Sequence, residues 1–157
     1  MSDLLVSLYN KNIRAPQCDL QGIEVRRAIA PERHLICEWV SQSFGEAWAS
    51  EVAVAFSGLP VTTWIAVREQ ELLGFACHDA TARGFFGPTG VSPSARGQGL
   101  GRELLLATLS GMREAGYAYA VIGGVGGQRD YYAKIIDVYD IPDSTPGIYA
   151  GMLRTVK

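Results

Sequence analysis

The feature that most constrains this chain is the stretch VSPSARGQGLGRELL, residues 91–105. Gly97, Gly99 and Gly101 alternate within it, and an apolar helical pattern begins directly behind them. Glycine inside a helix costs about 0.5–1 kcal/mol relative to alanine, so glycines at a helix entrance need a reason. The first four N–H groups of a helix have no intrahelical partner, and the helix dipole adds about half a positive charge at that end. Without a Cβ in the way, a bulky anion can sit directly on those donors, and phosphate is the usual occupant. Arg96 and Arg102 flank the loop and add positive charge. The competing reading is a flexible turn followed by close packing of helix on sheet.

Three phosphate-loop patterns can be compared. A Walker loop needs G-x-x-x-x-G-K-[ST], and no lysine follows here. A dinucleotide fingerprint needs G-x-G-x-x-G in a first βαβ unit, with an acidic residue about 20 positions later. The spacing here is G-x-G-x-G, and the strand before it belongs to a meander. The pattern R-x-x-G-x-G between a strand and a long helix is matched by Arg96-Gly97-Gln98-Gly99-Leu100-Gly101.

The rest of the chain supplies the context. LLVSLY (4–9) reads as a short strand or clip, and 10–21 as a polar connection containing Pro16. GIEVRRAI (22–29) alternates as a strand does. PERHLICEWVSQSF (31–44) reads as a helix opened by Pro31, with Leu35, Ile36, Trp39 and Val40 on its apolar stripe. A second helix spans 46–57. VTTWIAV (61–67), LLGFACHD (72–79) and RGFFGPTGV (83–91) form an antiparallel meander. The helix after the glycines covers about 99–115, with Leu100, Leu104, Leu105, Leu109 and Met112 on one face and Gly116 as its stop. YAYAVIGG (117–124) reads as a buried strand, QRDYYAKIIDVY (128–139) as a short helix and PGIYAGMLR (146–154) as a last strand. This order implies a mixed α/β (α+β) sheet with helices on its faces.

With 157 residues, 48% hydrophobic and 19% charged, the chain suits one globular domain, residues 22–157, preceded by an N-terminal strand or arm, 1–21. The net charge of −2 gives no basic excess of the kind nucleic-acid binding needs. Cys18, Cys37 and Cys77 are odd in number and widely spaced, which argues against a disulfide framework or a metal site. The N-terminus lacks the pattern of a secretory signal, and no apolar run approaches the ~20 residues a bilayer requires. The expectation is a soluble cytoplasmic protein with no metal and no membrane partner.

The run Gly90-Val91-Ser92-Pro93-Ser94-Ala95-Arg96-Gly97-Gln98-Gly99-Leu100-Gly101-Arg102-Glu103-Leu104-Leu105 resembles the acetyl-CoA pyrophosphate loop of the GCN5-related N-acetyltransferases, the GNAT superfamily. The element order over residues 22–154 resembles that family too. The resemblance implies a mostly antiparallel, twisted central sheet with helices on both faces. It implies that acetyl-CoA is the co-substrate, with its pyrophosphate on the backbone of Arg96, Gly97, Gln98, Gly99, Leu100, Gly101 and Arg102. Backbone groups of Gly90, Val91 and Ser92 would hold the pantetheine arm. The following strand, Tyr117–Gly124, would splay away to admit that arm, helped by a β-bulge at Gly87 or Gly90.

The implied reaction is direct attack of a primary amine on the thioester, on a small-molecule or amino-acid-like acceptor. Such a reaction needs a neutral amine, a donor to the oxyanion and a proton for the thiolate. Tyr132, in the Y-x-K segment Tyr132-Ala133-Lys134, matches the family's proton donor, with Tyr131 as the weaker candidate. The Val91 backbone N–H would meet the oxyanion. The base is open: the strand before the loop lacks the glutamate often found there, leaving His78, with Asp79 beside it, and Glu46. Phe44, Trp48, Phe85 and Phe86 could line the acceptor pocket. The late helix departs from the family pattern, with Val125 and Gln128 at its usual Asn and Ala. The rival readings are a non-catalytic acyl-CoA-binding or sensor module and a dinucleotide-dependent oxidoreductase. A homodimer through LLVSLY is a further expectation.

Overall fold

The computed structural model describes residues 2–16 and 21–154. Cys18 lies outside them. The strands are β1 (Leu4–Ser7), β2 (Glu24–Arg27), β3 (Thr63–Arg68), β4 (Glu71–His78), β5 (Phe85–Val91), β6 (Tyr119–Ile122) and β7 (Tyr139–Asp140). The helices are α1 (Arg33–Phe44), α2 (Glu46–Ala55), α3 (Leu100–Glu114) and α4 (Arg129–Ala133). The strands form one sheet in the order β2-β3-β4-β5-β6-β1-β7. Every pairing is antiparallel except β5 with β6. This is the mixed, mostly antiparallel sheet that the sequence implies.

Alternation along the strands builds two cores. On β4, Leu73 and Ala76 join the cluster that α3 completes, while Phe75 and Cys77 join the one under α1 and α2. The α3 face expected from the sequence is fully buried: Leu100, Leu104, Leu105, Leu109 and Met112 are at most 1% exposed. The segment behind β1 lies along the other side of α3. Arg14 makes a two-pronged ion pair with Glu103 at 2.8 and 3.1 Å, and Arg113 donates to the carbonyls of Leu8 and Ile13. On α1, Ile36 and Val40 are buried, but Leu35 is 59% exposed, because the i, i+4 pair alone faces the sheet. Pro31 lies in a 3-10 turn, Ala30–Glu32, ahead of α1, and Glu32 ties that turn to Arg26 of β2. Gly45, at φ 105°, makes the corner between α1 and α2.

Two expectations need correction. The segment 146–154 is not a strand: it carries only a 3-10 turn, Gly147–Tyr149. The sheet position beside β6 is taken by β1, in register from Leu4 opposite Ile122 to Ser7 opposite Tyr119. The late helix stops at Ala133, and Tyr139–Asp140 returns as β7 against Leu4 and Leu5. The N-terminal segment forms the expected strand and is built into the core, where Leu4, Val6 and Leu8 are buried. One edge of β1 is paired with β6 along Leu4–Ser7, and the other is paired with β7 at Leu4 and Leu5.

Candidate functional site

The parallel pairing of β5 with β6 consists of Phe85 with Val121 and Phe86 with Ile122. Then β6 ends, and β5 continues beside β4 alone. The register between β4 and β5 shifts between Ala76 and His78, which places an additional β5 residue at Gly87-Pro88. Gly87 has φ 114° and Pro88 has no N–H to give to a ladder. The bulge expected at Gly87 is there. Gly90 has another reason: a Cβ on it would come within 2.5 Å of Phe44 Cζ, so this glycine lets the α1–α2 corner lie against β5.

Where the strands part, a cleft of ≈ 1060 Å³ opens. Its floor is Phe86–Val91, one wall is Ile122–Val125 with Tyr131 and Tyr132, and the other includes Phe44, Trp48 and Glu51. Antiparallel ladders alternate, so every second residue turns its backbone N–H and C=O away from the partner. Ser92 N–H donates to Leu73 O of β4 at 2.8 Å. By the register, Gly90 opposite Phe75 is committed to β4 as well, whereas Val91 and Thr89, opposite Gly74 and Ala76, face the opened side. The backbone expectation for this strand is thus corrected. Val91 presents its N–H to the cleft, Gly90 and Ser92 do not, and Thr89 was missed although the same alternation points to it.

At one end of the cleft is the N-terminus of α3. Gly97 and Gly99 both have φ 81°, a left-handed backbone in which a Cβ is strained, with open space where it would stand. Gly99 is the N-cap, and no side chain caps the helix. The first helical bond at this end runs from Glu103 N–H to Gly99 O at 3.1 Å. The N–H groups of Leu100, Gly101 and Arg102 come before it and point out of the helix end. Gly101 has a steric reason instead: a Cβ there would collide with the Tyr131 hydroxyl oxygen. Arg96 Nε donates to Val91 O at 3.1 Å, which fastens the loop to the end of β5. Arg96, Gly97, Gly99, Leu100, Gly101 and Arg102 all line the cleft, whereas Gln98 is exposed and Ser92 lies off it. An uncapped helix end with two arginines and no obstructing side chain fits a phosphate group.

The side chains named as catalytic candidates fall in different places. Tyr132 is 8% exposed, lines the cleft and packs edge-on against Phe86, at the point where β5 and β6 part. Burial pushes its hydroxyl up to about 12, with Tyr131 adding to the shift. Tyr131 leans toward Gly101 instead. His78 is not at the cleft. It is 2% exposed on β4, between Trp64 and Tyr117, and Tyr117 lies just past the C-terminal end of α3. Its Nδ1 meets Asp79 Oδ2 at 2.6 Å, and burial lowers its pKa despite that partner. It faces the α3 side of the sheet with Trp64, and it is not among the residues that line the cleft.

Glu46 is exposed and off the cleft; Glu51, one helical turn beyond Trp48, lines it. The spacing of Phe44, Trp48 and Glu51 was the available signal, obscured by the break between helices at Gly45. Phe44, Trp48 and Phe86 line the cleft as expected. Phe85 does not: its ring packs over Gly123. Among the described residues, no three His, Cys, Asp or Glu side chains group to hold a metal ion, and no helix is long and apolar enough to cross a membrane.

Comparison with known proteins places this architecture. Among solved structures, a GCN5-related N-acetyltransferase from Sphaerobacter thermophilus matches at a TM-score of 0.68 and 21% identity, over 88% of this chain and 48% of its own. A GNAT family N-acetyltransferase from Escherichia coli, solved in complex with CoA, matches at 0.60 and 22%, over 76% and 70%. A GNAT family acetyltransferase from Brucella melitensis, solved in complex with acetyl-CoA, matches at 0.54 and 21%, over 69% and 80%. The chain spans about half the length of the Sphaerobacter protein. No curated protein sequence matches it. The family model for the acetyltransferase (GNAT) family matches residues 33–135, from α1 past α4 and through the whole glycine loop. The chain belongs to the acetyltransferase (GNAT) family.

Proposed function

We propose that this protein is an acetyl-CoA-dependent N-acetyltransferase that transfers an acetyl group to a primary amine of a small or amino-acid-like molecule. The observation that carries this reading is the uncapped N-terminus of α3 at one end of the cleft between β5 and β6. Relatives of the same fold have been solved with CoA and with acetyl-CoA. Leu100, Gly101 and Arg102 offer amides to a pyrophosphate, with Arg96 and Arg102 as neighbouring charges. Thr89 and Val91 offer backbone groups along the cleft floor, to the arm and to the thioester oxygen. The co-substrate supplies an activated acyl carbon.

Tyr132 sits where the strands part. With its hydroxyl pushed up to about 12, it stays neutral throughout the working range and acts as a hydrogen-bond donor to the departing sulfur. An aqueous thiol has a pKa of about 8.5, so full proton transfer from so weak an acid is uphill, and the thiolate takes its proton from water afterwards. Incubation with acetyl-CoA and a panel of primary amines, read by release of free thiol, tests the reading. Amine-dependent release is expected. Tight acetyl-CoA binding with no release for any amine would identify a non-catalytic acyl-CoA-binding module instead.

A further inference from the structure

We infer that the Glu51 carboxylate receives the acceptor's primary ammonium and takes its proton, with an apolar or aromatic body of the acceptor lying against Phe44 and Trp48. This rests on the transferase reading above. Glu51 is the one carboxylate among the described residues that line the cleft, whereas Arg96 and Arg102 stand at the α3 end. The cleft therefore sets one carboxylate, on α2, apart from the two arginines at the α3 end, with a third arginine, Arg154, from the C-terminal segment; the first two suit an anionic co-substrate and the carboxylate a cationic acceptor.

The carboxylate is held in place. The Thr81 hydroxyl, on the β4–β5 connection, donates to Glu51 Oε1. No ion pair among the described residues uses Glu51, in contrast to Glu32, Glu103 and Asp140, each of which holds an arginine. Two titratable groups that face it, Cys77 and Tyr149, are neutral. Burial pushes the Cys77 thiol on β4 up to about 12, with the charge of Glu51 adding to the shift. Burial, and then Glu51, raise the Tyr149 hydroxyl. Arg154 of the C-terminal segment also lines the cleft. Next to the carboxylate is a stacked aromatic pair, Phe44 and Trp48, with ring centroids 5.2 Å apart. A carboxylate beside aromatic faces is the chemistry that recognises an alkylammonium with an apolar body.

An alkylamine has a pKa of about 10.4, so it arrives protonated at neutral pH. It must lose a proton before its lone pair can form the new C–N bond and the C–S bond can break with its electrons on sulfur. A carboxylic acid is a far stronger acid than an alkylammonium, so Glu51 does not keep that proton: it orients the ammonium and relays the proton to water as the C–N bond forms.

The test compares wild type with Glu51→Gln, which keeps the shape, and Glu51→Asp, which keeps the charge. Acetyl-CoA binding is measured by calorimetry, and transfer to phenethylamine and to ethanolamine by thiol release. Three results are expected. Glu51→Gln binds acetyl-CoA as wild type does. Its kcat/KM for phenethylamine falls about 100-fold and recovers as pH rises and free amine accumulates. Glu51→Asp keeps the wild-type pH profile at a reduced rate, and wild type prefers phenethylamine to ethanolamine. A Glu51→Gln variant with the wild-type rate and pH profile overturns the inference, as does wild type that binds acetyl-CoA and acetylates neither amine. Failure of wild type to bind acetyl-CoA overturns the transferase reading beneath it.

Discussion

At the scale of single residues, the alternating glycines have separate causes. Gly97 and Gly99 take a left-handed backbone, whereas Gly101 clears space for Tyr131. The sequence showed three glycines in a row of alternate positions; only the coordinates separate conformation from space. Tyr132 is the residue whose chemistry is most exposed to test. Tyr132→Phe removes the hydroxyl and keeps the ring against Phe86. Steady-state kinetics should show kcat lowered about 10²-fold, with acetyl-CoA affinity and melting temperature little changed. An unaltered kcat would remove Tyr132 from the reaction.

At the scale of elements, α3 carries both the site and the core. Gly111, in its interior, is buried, and a Cβ there would overlap Trp64 Cη2 on β3. Glycine in a helix is normally replaceable by alanine at a gain. Here the collision should win: Gly111→Ala is expected to destabilise by about 1–3 kcal/mol through overpacking, read as a lowered melting temperature. A stabilised variant would contradict this packing.

The elements also show what sequence periodicity carries. The α3 leucines, the β3–β4–β5 meander and the glycine loop were all legible, because strong local patterns met turn residues at their ends. The late segment was not. PGIYAGMLR has the composition of a strand, yet β1 holds the position beside β6, and that pairing spans more than a hundred residues of sequence. Local pattern does not contain that information. His78 was illegible for a similar reason: its residue type suits a base, but only the sheet shows that it faces Trp64 and the α3 side and not the cleft. Glu51 reaches the cleft through the turn at Gly45, which no helical period crosses.

At the scale of the whole molecule, the chain closes on itself through β1, whose Leu4 and Val6 fill the core on one face while its edges pair with β6 and, at Leu4 and Leu5, with β7. The network at the far end of the sheet sets a pH dependence of stability. Burial lowers the pKa of His78 below its ordinary value of 6.5. Burial alone would raise Asp79, but bonds from the Gly84 N–H, Tyr117 hydroxyl and His78 outweigh it and hold the carboxyl below its ordinary 3.8. The unfolded chain therefore binds a proton at position 78 that the folded chain resists. Stability from His78 is present above pH 6.5 and is lost as pH falls through the lower folded value. Melting temperatures between about pH 7 and about pH 5 should fall more steeply for wild type than for His78→Gln. Parallel curves would show that His78 is not held neutral by the fold.

The functional reading turns on whether the glycine loop and the head of α3 hold the pyrophosphate of acetyl-CoA. A calorimetric titration with acetyl-CoA, run on wild type and on Gly99→Val with NAD and ATP as controls, decides this. At φ 81°, valine at position 99 strains the N-cap and places a branched side chain in the open space before the helix amides. Wild type is expected to bind acetyl-CoA in preference to NAD and ATP, and Gly99→Val to weaken this binding at least about tenfold, which is ~1.4 kcal/mol. No binding by wild type, or equal binding by a folded Gly99→Val, would contradict it.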